Sequence, residues 1–139
     1  MRIEPAKENL SMSAQETTDN KRSEIRFKAF IVHLILNGDV EEALEQLAKH
    51  YNVSVPRIKL GLPKRHGTKT LGCYTTKSRT IHVLNSDVLK EPFIILHEFY
   101  HHLRTSIDKK HRGTEKYASQ FARGYIEAYK NLVKLGSQS

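Results

Sequence analysis

Thiol chemistry is nearly absent from this chain: Cys73 is its one cysteine in 139 residues. That excludes an internal disulfide and a cysteine-rich zinc site, and it removes any need for an oxidising compartment. Long apolar runs are missing too. The longest, Phe27 to Leu36, is about ten residues and contains Lys28 and His33, too short for a bilayer. The first residues, Met1-Arg-Ile-Glu-Pro-Ala-Lys-Glu8, show no apolar core of a secretory signal, so a cytoplasmic location is expected, with no membrane partner.

Acidic residues are missing from one stretch. Between Gln46 and Ser86 there is none, while Lys49, Arg57, Lys59, Lys64, Arg65, Lys69, Lys77 and Arg79 all fall there. The net charge is +8, and outside this block acids and bases balance. A basic block over 49–79 attracts anions: nucleic acid, an acidic peptide or an acidic protein surface. It reads equally well as a solvated face without a partner.

With 38% hydrophobic residues, the chain suffices for one domain with a modest core. Residues 1–22 are polar and without period, which predicts a disordered arm, leaving 23–139 as the domain. Helical spacing begins near Ser23 and runs to Asn37, where Gly38 stops it. Asp39 then opens a second helix, with Glu42 completing a capping-box pattern and Val40, Ala43, Leu44, Leu47, Ala48 and Tyr51 on one face. After Pro56 the period shortens. Strands are predicted at Ile58–Leu62, Thr70–Thr76 and Thr80–Leu84, the last two joined by a turn at Thr76–Arg79. Asn85-Ser86-Asp87 is turn chemistry. An apolar helix starting at Pro92 and a final helix from Thr114 to about Leu135, ended by Gly136, complete an α-α-β-β-β-α-α order. The fold class is α+β, with a short antiparallel three-stranded sheet.

The strongest chemical pattern lies in the apolar helix: His97-Glu-Phe-Tyr-His101, an HExxH motif. Residues i and i+4 share a helix face, so His97 and His101 can direct two imidazoles at one metal. Glu98, beside the first ligand, can reach a water on that metal and serve as general base. Phe93, Ile94, Ile95, Leu96, Phe99, Tyr100 and Leu103 surround the motif. A helix this apolar is buried, and an unpaired buried carboxylate is costly, which argues against a chance match.

A hydrolytic zinc site needs a third protein ligand. Asp108 and His111 lie in a charged loop. Arg104 and Ile107 stand where a metzincin would have Gly and His, which excludes that pattern. Glu115, fourteen residues after His101 at the start of the last helix, is the better candidate. Small Ala118 and Ala122 would let the two helices approach closely. The macrodipole also favours a glutamate at a helix N-terminus, so its position has a second explanation.

Taken together, His97-Glu-Phe-Tyr-His-His-Leu-Arg104 and Glu115-Lys-Tyr-Ala-Ser-Gln-Phe-Ala122 resemble the gluzincin zinc peptidases. The match is nearest to the minigluzincins and the ImmA/IrrE-like peptidases, whose third-ligand segment often reads Glu-x-x-Ala-x-x-Phe-Ala. The hairpin from Gly72 to Val83 resembles the one before their active-site helix. The resemblance covers residues 56–126. It implies a small zincin-like domain, zinc held by His97, His101 and Glu115, Glu98 as general base, and a substrate strand pairing with a cleft-rim strand within 70–84. Ser119 stands where thermolysin-like members have an aspartate supporting a zinc histidine, so that support is expected to come from elsewhere or to be weaker.

The expected function is therefore hydrolysis of peptide bonds in a polypeptide substrate. Tyr125, His111 and His102 are candidate oxyanion donors, with His102 also readable as a surface residue at the helix end. The alternative is a basic DNA-associated or regulatory protein with a structural or vestigial zinc site. An intact Glu98 argues against it, since zinc binding alone does not require that residue.

Overall fold

The computed structural model describes residues 3–64, 69–107 and 115–138. Four helices pack with one small sheet: α1 (Ile3–Leu36), α2 (Val40–Tyr51), β1 (Arg57–Leu60), β2 (Gly72–Thr75), β3 (Thr80–Val83), a 3-10 turn (Ser86–Lys90), α3 (Pro92–Ile107) and α4 (Glu115–Gln138). This is the expected α+β domain, with two corrections.

The first concerns α1, which begins at Ile3 and not near Ser23. Residues 3–22 hold no helix breaker beyond Pro5, which falls in the first turn where a missing N–H costs nothing. Helix needs no core to satisfy its backbone, so lack of an apolar period does not end it. Residues 18–26 are exposed. At the other end α4 runs past Gly136 to Gln138.

The second concerns the sheet, which is mixed and not antiparallel. Its order is β1-β3-β2, with β2 antiparallel and β1 parallel to β3. Leu60 and Gly72 both pair with Val83. The chain therefore leaves β1 and enters β2 at the same end of β3. β1 and β2 run in opposite directions, with β3 inserted between them.

Turn chemistry explains the boundaries. Gly38 takes φ +86 between α1 and α2, and Asn52 ends α2 in the left-handed conformation, its N–H bonded to Lys49 O. Asp39 occupies the N-cap position of α2 but makes no side-chain cap bond, so the predicted capping box is not formed. Asn85 caps the 3-10 turn by accepting from the N–H groups of Asp87 and Val88.

The core joins Ile31 and Ile35 of α1, Leu44 and Leu47 of α2, Ile81 and Val83 of β3, Ile95, Leu96 and Phe99 of α3, and Tyr125 of α4. Each such side chain contributes roughly 1.5–3 kcal/mol when fully buried. Ala118 and Ala122 are fully buried, and α4 packs along both α1 and α3. That packing carries the start of α4 to the HExxH face of α3.

Candidate metal centre

Helical geometry brings His97 and His101 together, with ring centroids 5.2 Å apart. Glu115, at the first position of α4, bridges them. Its Oε2 accepts from His97 Nε2 at 2.9 Å and its Oε1 lies 2.8 Å from His101 Nε2. One ligand atom from each residue lies within 4.8 Å of the others. A tetrahedral zinc with bonds of about 2.0–2.1 Å sets its ligand atoms roughly 3.4 Å apart, so the three residues fit such an ion. The imidazoles are 12% and 20% exposed and the Glu115 side chain 79%. The cluster is thus backed by core and open towards solvent.

Glu98 is 8% exposed. Burial, and next the negative charge of Glu115, push its carboxyl up to about 7. It sits beside His97, and its proton affinity is set by burial and by the neighbouring carboxylate.

Ser119 Oγ lies 3.4 Å from His97 Nδ1. Ser119 thus does reach His97, but with a weaker contact than a carboxylate would make, one of the two outcomes expected for that position. The contact is long, as a short neutral hydroxyl would make it. Position i+4 from Glu115 on α4 was the available signal, since the two share a face.

Gly72 of β2 was also legible, because a glycine within a strand pattern marks close approach. A Cβ there would stand 2.7 Å from Ile94 Cγ2, 3.3 Å from His82 O and 3.6 Å from Glu98 Cγ. The absence of a side chain lets β2 lie against α3 beside the catalytic candidate. Leu84 N donates to Leu71 O. By alternation, Leu71, Cys73 and Thr75 bond to β3, while the N–H and C=O of Gly72 and Tyr74 face away from it, towards an edge that no other strand among the described residues pairs with.

The other sequence candidates part company with the cluster. His102 is fully buried, neither a surface residue nor part of the metal face. Its Nε2 donates to Ser54 O at 2.7 Å, which leaves Nδ1 to accept from the Tyr74 hydroxyl at 2.7 Å. Burial lowers its pKa, which favours the neutral ring. It ties α3 to β2 and to the segment after α2. Tyr125 is buried in the core with its hydroxyl bonded to Tyr51, so that hydroxyl is already engaged. Asp108 and His111 lie outside the described residues, as does Arg65 of the basic block. Of the others, Lys49 lies in the last turn of α2, Arg57 and Lys59 on β1, and Lys77 and Arg79 in the β2–β3 turn, where Arg79 O accepts from Arg57 N. Among the described residues, no helix is long and apolar enough to cross a membrane.

No family model, curated protein or solved structure matches the chain.

Proposed function

We propose that this protein is a zinc metallopeptidase of the HExxH-plus-glutamate kind. The observation that carries the reading is the convergence of His97, His101 and Glu115 on one point, with Glu98 buried beside them. A bound zinc would act there as a Lewis acid, making water nucleophilic and the scissile carbonyl electrophilic. Glu98 accepts the proton of the attacking water and passes it to the departing amine. Ser119 holds the ring of His97 so that its Nε2 faces the cluster. A substrate in extended form pairs with the outward N–H and C=O groups of Gly72 and Tyr74, which sets its backbone along the cluster. Because Gly72 lacks a side chain, β2 itself lies close to Glu98.

Metal analysis of the purified chain and a cleavage screen test this reading together. One zinc per chain is expected. Incubation with a peptide library, read by mass spectrometry, should yield cleavage products that vanish in Glu98→Gln while zinc content and melting temperature persist. A zinc-loaded wild type that cleaves nothing Glu98→Gln spares would refute the catalytic role. Loss of zinc in Glu98→Gln would make that residue a ligand.

A further inference from the structure

Among the described residues the sheet has two free edges. One is β2, beside the metal cluster. The other is β1, across β3 from it. Arg57 N donates to Arg79 O at 2.9 Å and Gly61 N to Val83 O at 2.7 Å. Odd-numbered residues of β1 therefore bond to β3. Alternation turns the N–H and C=O groups of Ile58 and Leu60 outward, and among the described residues the sheet ends there.

A groove of about 370 Å³ runs between this edge and α2. Leu44, Val55 and Ile58 form its apolar lining, with Glu41 and Glu45 on the helix side and Arg57 and Lys59 on the strand. Val55 is 50% exposed and Leu60 59%. Outward backbone groups beside exposed apolar side chains are a template for an added strand.

We propose that the β1 edge docks an extended acidic segment of a partner polypeptide, taken up as a fourth strand in the groove between β1 and α2. The pleat decides the chemistry of the segment. Arg57 and Lys59 share the sheet face opposite to Ile58 and Ile81, and both are exposed. A strand alongside them meets two cations on that face; on the other it meets the apolar lining with Glu41 and Glu45 at its helix side, where a carboxylate of the segment would be repelled and an apolar side chain is required. Carboxylates at alternate positions, separated by apolar residues, satisfy both. A second copy of this chain does not fit. Pairing β1 with β1 sets Arg57 and Lys59 of one copy among those of the other, and like charges opposite one another destabilise a sheet. Duplex DNA does not fit either, since two cations displace few counterions and a strand edge needs backbone partners. No residue of the metal cluster takes part, so docking here is separable from hydrolysis and would select the partner without performing chemistry on it.

The test uses two fluorescein-labelled peptides, one alternating glutamate with valine and one alternating lysine with valine. Each is titrated into the full chain by fluorescence anisotropy at low salt. The glutamate peptide should bind at least tenfold more tightly, and the preference should shrink as salt screens the exposed charges. Arg57→Glu with Lys59→Glu should reverse the preference. Leu60→Pro, which removes an outward N–H and leaves the β3 ladder intact, should weaken binding at least fivefold. Hydrogen exchange should show protection of the Ile58 and Leu60 amides on binding. Glu115→Ala should bind the peptide as wild type does, which keeps this result independent of the metal centre. Equal affinity for the two peptides would overturn the proposal, as would acidic-peptide binding that survives the double charge reversal. So would a dimer whose Ile58 and Leu60 amides are protected without peptide, or a short DNA duplex that binds this edge more tightly.

Discussion

Replacing Gly72 by alanine tests the link between the sheet and the metal-centre helix. The new Cβ would stand 2.7 Å from Ile94 Cγ2, where carbon atoms normally keep about 3.5–4.0 Å. The excess is close to a full ångström. The carbonyl of His82 at 3.3 Å belongs to the neighbouring strand and cannot give way cheaply. Either the half-buried Ile94 side chain moves or β2 lifts from α3. Overpacking of this kind costs about 1–3 kcal/mol. Lower chain entropy of the unfolded alanine variant offsets about 0.4–1 kcal/mol of that. A net loss of about 1–2 kcal/mol lowers the melting temperature by roughly 3–8 °C for a domain of this size. Gly72 is not in the left-handed region, so space and not backbone strain decides the result. Ile94→Ala removes the opposing methyl. The double variant should therefore be more stable than the sum of the single effects, by about 1 kcal/mol. The assay is thermal melting of all four forms, with peptide cleavage measured alongside, since a lifted β2 moves the substrate edge away from Glu98. A Gly72→Ala protein as stable as wild type, with additive behaviour in the double variant, would refute the close approach and the role assigned to β2.

Other substitutions probe the cluster and its supports. Glu115→Ala removes one of three ligands and should abolish stoichiometric zinc in dialysed protein, whereas Asp108→Ala should retain it; the check is metal analysis. Adding zinc to wild type at about a hundred times its dissociation constant should stabilise the fold by about 2.7 kcal/mol, and Glu115→Ala should lose most of that gain. Ser119→Ala should weaken zinc binding by up to about tenfold and Ser119→Asp should strengthen it, measured by chelator competition. His102→Phe strands the Ser54 carbonyl and removes one bond of the Tyr74 hydroxyl and should cost about 1–3 kcal/mol in denaturant unfolding, with zinc stoichiometry unchanged in whatever folds.

What the sequence determined by itself was local. The HExxH spacing places two imidazoles on one face of any helix that forms over 92–107, because helical geometry depends only on neighbours three and four residues apart. The period of α2, the hairpin turn at Thr76–Arg79 and the stop at Gly38 were legible for the same reason. Tertiary structure decided what depends on residues far apart in the chain. Glu115 stands by His97 and His101 because α4 packs on both α1 and α3, which turns a glutamate with a plain macrodipole explanation into a bridge between two imidazoles. Insertion of β3 between β1 and β2 made the sheet mixed, since strand order is set by burial of Ile81 and Val83 and not by pattern within any strand. His102 shows the limit most sharply. Beside His101 in sequence, it is rotated about 100° around a helix of 3.6 residues per turn. Only the arrival of Ser54 and Tyr74 on that side made it a buried tie between elements instead of a surface residue or an oxyanion donor.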